Sequence, residues 1–225
     1  MSVKVLTRQM SFGVLKMAAA WAIGGICALP LASSASLVQD GSFESTIANP
    51  LFQTFNAGQS FGGWTVSGGS VDLINGYWNA AEGFQSVDLA GNSEGTIKQD
   101  IQNATGSQFH LTFSLSGNTD GQPGLKQVLV SFGGVSKTFN FLATLDGNHS
   151  LNWVTETWDI TTADNTRTLS FGDVSGSPGY YGAVLDNVSL EAAVVPEPGT
   201  MFAGALLLLP FGASAIRILR RKRAA

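Results

Sequence analysis

The chain has 225 residues, with 12 Lys and Arg against 16 Asp and Glu, and a single cysteine. Eight of the bases crowd into the two ends, so residues 36–195 hold four bases against 15 acids, a surface that repels phosphate backbones and excludes nucleic acid as a partner. The cysteine, Cys27, lies in an apolar N-terminal run, so the middle of the chain has no disulfide framework and no thiolate metal site. It must be stable from its core alone, which about 160 residues can manage.

Lys4, Arg8 and Lys16 form a positive start, Met17 to Leu31 is nearly unbroken in apolar character, and Ser33-Ser34-Ala35 supplies small residues. That order is a secretory signal peptide over residues 1–35, cut by signal peptidase after Ala35. The alternative is an N-terminal transmembrane helix, for which Met17–Leu31 is short and which Pro30 would break at its outer end. Ile26, before Cys27, is not the small residue that lipidation would want.

Residues 36–193 are rich in Gly, Ser, Thr and Asn and show no helical period. Short alternating segments predict strands instead. In 109–115, Phe109, Leu111, Phe113 and Leu115 fall on one face and His110, Thr112 and Ser114 on the other. Segments 86–89, 127–132, 137–142, 153–160, 167–171 and 183–190 read alike. Gly133-Gly134 reads as a tight hairpin turn, and Gly68-Gly69, Gly91-Asn92 and Asp146-Gly147-Asn148 as further turns. Roughly eight to ten strands in an all-β domain predict a two-sheet jelly roll or related sandwich.

Residues 194–225 form a tail. Pro196-Glu197-Pro198-Gly199 precedes an apolar stretch, read as a transmembrane helix over 200–219, and Arg220 to Arg223 form a basic stop that stays cytoplasmic. These three parts in order resemble the PEP-CTERM sorting signal over about the last 30 residues. The resemblance implies an exosortase partner, cleavage near Pro196, Glu197 and Pro198, and delivery to the envelope surface or an exopolysaccharide matrix. An uncleaved single-pass anchor is the alternative.

Asp40-Gly41-Ser42-Phe43-Glu44 near the start, Gly62-Gly63-Trp64-Thr65-Val66, and Val184-Leu185-Asp186-Asn187-Val188 near the end resemble the galactose-binding-like jelly rolls of secreted carbohydrate-binding modules. That resemblance implies a structural calcium ion held by Glu44 and Asp186, with Asp40 standing where Asn is often found. Calcium takes six to eight oxygens, which two carboxylates and backbone carbonyls can supply. The alternative is that both carboxylates bond backbone. A wider set resembles the choice-of-anchor C family: Phe43-Glu44, Gly63-Trp64-Thr65-Val66, Gly69 to Ile74, Tyr77-Trp78, Gln85 to Leu89, Leu115 to Asn118, Trp153 and Leu185 to Val188. It implies a secreted domain with interchangeable anchors and no established reaction.

A sugar presents an apolar face to an aromatic ring and hydroxyls to Asn, Asp and Gln. Tyr77, Trp78 and Asn79 in one Gly/Asn-rich loop, Tyr180 and Tyr181 in another, with Asp72 and Glu82 as hydroxyl acceptors, are the candidate sugar contacts. In a sandwich such aromatics can equally be core, as Trp64, Trp153 and Trp158 are expected to be. His110 and His149 sit in no zinc pattern, and no Gly-x-Ser-x-Gly elbow or phosphate loop is present. The expectation is an exported, membrane-anchored, non-catalytic surface protein that binds polysaccharide. The alternatives are a structural or adhesive matrix protein and, third, a glycan hydrolase.

Overall fold

In the computed structural model, which describes residues 35–120, 124–144, 149–176 and 179–193, alternation becomes twelve strands in two six-stranded sheets. They are β1 (Leu51–Asn56), β2 (Ser60–Phe61), β3 (Trp64–Gly68), β4 (Ser70–Asn75), β5 (Gln85–Asp88), β6 (Thr96–Asp100), β7 (Gln108–Gly117), β8 (Gly124–Phe132), β9 (Val135–Ala143), β10 (Val154–Thr161), β11 (Thr168–Asp173) and β12 (Ala183–Ala192). The first sheet runs β1-β4-β5-β12-β7-β10 and the second β2-β3-β6-β11-β8-β9, antiparallel throughout the named pairs. This is the all-β sandwich that the alternation predicts. The signal segment before Ala35, the turn at 146–148, the Pro-Glu-Pro motif, the helix at 200–219 and the basic stop lie outside the described residues.

The two inner faces interleave through aromatic rings. Trp64 of β3 meets Phe43 and Phe171 at centroid distances of 5.7 and 6.0 Å, and Phe113 of the opposite sheet meets Phe171 and Phe139 at 5.3 and 5.0 Å. Phe109, Leu111, Phe113 and Leu115 are all buried, as their spacing along β7 requires. Gly133 and Gly134 both have positive φ and close the β8–β9 hairpin between Phe132 and Val135.

The strand count exceeds the expected range because several strands are poor in apolar residues. β6 has one buried apolar side chain, Ile97; its second inward position is Gln99, buried because it bonds the backbone N–H and C=O of Gln39. Trp64 is core as expected, whereas Trp153 and Trp158 are only partly buried.

The beginning and the end of the domain meet. The Leu37 N–H donates to Leu190 at 2.7 Å, and the Val188 N–H donates to Gly41 at 2.8 Å. This crossing leaves no room for a side chain at residue 41, where a Cβ would lie 1.9 Å from the Val188 carbonyl oxygen. Gly41→Ala is expected to destabilise the domain by about 1–3 kcal/mol and to lower its Tm by about 5 °C, measured by thermal unfolding of the full chain. An unchanged Tm would show that this crossing does not constrain the fold.

Candidate functional site

Two cross-strand rows on the outer face of the first sheet make a floor. Side chains alternate along β4, so Val71 and Leu73 enter the core while Asp72 and Ile74 face outward. Register then sets Thr54 of β1 opposite Asp72, and Asp72 opposite Asp88 of β5; Phe52, Ile74 and Ser86 form the next row. Loops wall this floor: Tyr77 and Trp78 after β4, Gly91 and Asn92 after β5, Asn118 and Asp120 after β7, and Tyr180 and Tyr181 before β12. The groove they enclose has a volume of about 270 Å³, near the lower end for small-ligand sites. Its lining carries three aspartates and no Lys or Arg.

Each wall is held by hydrogen bonds. The Tyr77 hydroxyl donates to Asp120 Oδ2 at 2.6 Å, and this bond is the main reason its pKa is pushed up to about 12. The other Asp120 oxygen lies 3.2 Å from His149 Nδ1, and the His149 and Trp78 rings pack edge-on to Tyr77. Trp78 is only 6% exposed: its Nε1–H donates to Ser86 Oγ at 2.9 Å, and its ring joins Ile74, Leu151 and Val184 in a small apolar layer outside the sheet. It stiffens the wall and shows little open ring.

Tyr180 is the opposite case, 59% exposed and at φ +96°, a region that costs a non-glycine residue about 1–3 kcal/mol. The conformation persists because its neighbours fix the backbone. Asn118 Nδ2 donates to the Tyr180 carbonyl at 3.0 Å, Lys126 Nζ donates to the Tyr181 carbonyl, and the Gly182 N–H donates to Asp88 Oδ1 at 3.2 Å. Asn118 also donates to Asp88 Oδ2 at 2.7 Å. Burial pushes Asp88 up to about 8, helped by the Asp72 and Asp173 carboxylates and opposed by the bonds from Asn118 and Ala90. Burial raises Asp173 and lowers Lys126, the latter opposed by Asp173 and Asp88. Burial also raises Asp72, against the hydrogen bond that Thr54 donates to its Oδ1 at 2.6 Å; its second oxygen has no hydrogen bond from the described residues.

Of the other sugar candidates, Asn79 and Glu82 lie outside the groove. Asn79 pairs both side-chain atoms with the backbone of Leu151, at 2.7 and 3.2 Å, and Glu82 is exposed on the loop beyond. The calcium candidates are engaged elsewhere. Glu44 Oε1 accepts the N–H groups of Phe84 and Gln85, at 2.6 and 2.7 Å. Asp186 Oδ2 accepts those of Ala81 and Glu82, at 2.7 and 2.9 Å, and its Oδ1 that of Asn187 at 2.6 Å. Asp40 accepts from the Ser45 backbone and hydroxyl, at 3.0 and 2.7 Å. These bonds leave Glu44 Oε2 without a donor among the described residues, and no group of three or more His, Cys, Asp or Glu among the described residues could hold a metal ion.

Sequence reasoning missed Asp88, Asn118, Asp120 and Lys126. Asp88 and Asn118 stand inside segments that carry the family resemblance, but only strand register shows that Asp88 faces Asp72.

Fold and groove together define a two-sheet jelly-roll β-sandwich domain with a tyrosine-walled, acid-floored groove. The chain belongs to the family described as "Protein of unknown function (DUF642)", whose model matches residues 36–191. It is 31% identical over 171 residues to halomucin of Haloquadratum walsbyi, covering 73% of this chain but only 2% of halomucin's length. Among solved structures it is similar to TmCBM61 in complex with beta-1,4-galactotriose (15% identity, TM-score 0.45, 71% of this chain and 100% of that one). It is also similar to the CBM22-1 xylan-binding domain of Paenibacillus barcinonensis Xyn10C (14% identity, TM-score 0.43, 67% and 99%) and to CBM35 of the same organism (17%, 0.41, 63% and 99%).

Stability should fall as pH rises. Burial also pushes Asp186 up, to about 7, against its three backbone N–H donors, so both it and Asp88 stand above the ordinary 3.8. Their protonated forms favour the folded state. That contribution is complete below about pH 4 and is lost as pH climbs through about 7 and about 8. Thermal melts of the full chain across this range are expected to show a declining Tm, and Asp88→Asn to flatten the alkaline half of the decline. A Tm that climbs over the same range would contradict the assignment.

Proposed function

We propose that this chain is an exported, envelope-anchored, non-catalytic surface protein whose groove binds extracellular or cell-surface polysaccharide. The observation that carries the reading is an open tyrosine ring, Tyr180, held in a strained backbone conformation beside a floor of hydrogen-bonding carboxylates. A ring face suits the apolar C–H surface of a sugar, and Asp72, Asn92 and Asp120 offer partners for its hydroxyls. The address rests on the order of segments at the two ends: signal peptidase acts after Ala35, and an exosortase acts at Pro196-Glu197-Pro198 before the apolar stretch and basic stop.

Hydrolysis is disfavoured by the acids themselves. Glycosidases set two carboxyl groups across the scissile bond. Of the three aspartates in the groove, Asp88 is 1% exposed with its oxygens bonded to Asn118, Ala90 and Gly182, and Asp120 has one oxygen taken by the Tyr77 hydroxyl and the other facing His149, which leaves Asp72 without a free partner. The second reading, a matrix protein that self-associates, is favoured by Ile47 and Phe84, 82% and 79% exposed. These sit on two loops that Gln85 ties together through Ala48 and Thr46. It predicts concentration-dependent association in sedimentation experiments without glycan.

Affinity electrophoresis of the full chain through gels containing polysaccharide tests the first reading. Tyr180→Ala is expected to weaken retention about tenfold or more, the equivalent of ~1.4 kcal/mol, while leaving Tm nearly unchanged, because the ring removed is exposed and the Cβ that makes this backbone conformation costly is kept. Absence of retention on every glycan tried, including the producing cell's own matrix polymer, would defeat it.

A further inference from the structure

The charge lining the groove points to its ligand class, given that the groove is a glycan site. We infer that it selects uncharged glycan and rejects polymers carrying uronate or sulfate.

The first ground is where the acids sit. Asp88, opposite Asp72 in register, is buried with its oxygens bonded to Asn118, Ala90 and Gly182, so the carboxyl groups a ligand meets are Asp72 on the floor and Asp120 on the wall with Tyr77. Sugar hydroxyls donate well to such carboxylates, and hydrogen bonds to an ionised acceptor are the stronger kind. A ligand carboxylate or sulfate in the same place has no proton to give and meets like charge at close range in a partly desolvated cleft, which is how interfaces exclude wrong partners.

The second ground is where the bases sit. Residues 36–195 have four, and none offers a countercharge to an anion in the groove. Lys98 points outward from β6 of the second sheet. Lys137 lies over the Phe139 ring at 4.4 Å on β9. Arg167 donates to the carbonyls of Ala104 and Gly106, at 3.0 Å each. Lys126 is buried and donates to the Tyr181 carbonyl from behind the wall. His149 flanks the groove, and its Nδ1 faces Asp120. An anionic polymer would therefore lose its hydration and find no Lys or Arg.

A matched pair of polymers isolates charge from shape. The full chain is run against polygalacturonate and against the same polymer after carboxyl reduction, alongside neutral β-glucan, xylan and galactan. Expected is retention by at least one neutral polymer, with the carboxyl-reduced form bound at least tenfold tighter than its uronate parent. Retention by the neutral polymer should be indifferent to salt between about 0.1 and 1 M, over which the screening length falls from ~10 to ~3 Å. Asp72→Asn, which keeps an oxygen for Thr54, should narrow the gap by raising affinity for polygalacturonate about threefold or more. Equal or tighter binding of the uronate polymer, or retention only by a cationic polymer that vanishes in high salt, overturns the selectivity while leaving the groove as a glycan site. If no polymer is retained and Tyr180→Ala behaves as the parent chain, the glycan reading falls and the inference with it.

Discussion

A buried cluster of polar side chains under the groove decides where its aromatic wall stands. Asp88, Asn118 and Lys126 each hold a different backbone atom of residues 180–182, and Asp173 shares the same interior. In a low-dielectric setting such bonds are strong when made and costly when missing, so they fix one arrangement of the loop. Lys126 shows the size of the concession. It occupies an inward position of β8, two residues before Val128, where an apolar side chain would pack without desolvating a charge. Burying an ammonium costs several kcal/mol, and the nearby carboxylates offset only part of that. A sandwich selected for stability alone would not place it there. The concession falls at the tyrosine loop, as expected where geometry at a site outweighs stability.

A second device holds the opposite wall. Residues 81–85 follow the Tyr77-Trp78 turn, and two carboxylates grip their backbone: Asp186 takes the amides of Ala81 and Glu82, and Glu44 takes those of Phe84 and Gln85. Glu44 comes from the first loop of the domain and Asp186 from its last strand. Four hydrogen bonds to the amides of residues 81–85 thus make the closure of the sandwich and the placement of this wall one event. The β12 bulge between Asp186 and Ser189, with Asn187 in the left-handed region, sets Asp186 on the outer face and Val188 on the core side.

Period-two alternation makes the sandwich legible: β7 to β12 stand out because apolar side chains recur at most alternate positions, with Lys126, Lys137 and Glu156 as the exceptions in β8, β9 and β10. β1, β2 and β6 do not, because an edge strand, a two-residue strand and a strand with Gln99 in its core position carry little of that signal. The site was legible residue by residue but not as an assembly. Tyr77, Tyr180 and Asp72 were marked by type and by loop context. Their convergence depends on cross-strand register and on loops more than 100 residues apart, which local pattern does not encode. Trp78 was marked for an open face that tertiary packing covers. Glu44 and Asp186 both hold residues 81–85 through amide hydrogen bonds, and those donors lie far from both in the chain, where local pattern does not reveal them.

The two walls differ in how their aromatics are used, and the difference bears on binding. Trp78 is fixed by its indole N–H and covered by Leu151, so it contributes rigidity. Tyr180 is presented, but on a backbone whose carbonyls and amides are already committed to buried partners. A ligand arriving at such a groove has few protein degrees of freedom left to freeze. Ordering of side chains and loops is among the larger costs of association, at about 0.5–1.5 kcal/mol for each mobile side chain immobilised. On the proposed reading, a groove of this modest volume would make few contacts with any one polymer segment and would depend on that saving more than a deep pocket does. The strain at Tyr180 and the buried charge at Lys126 are then two parts of one arrangement, in which folding free energy is given up to hold the wall in one place, which is what the proposed glycan site would need.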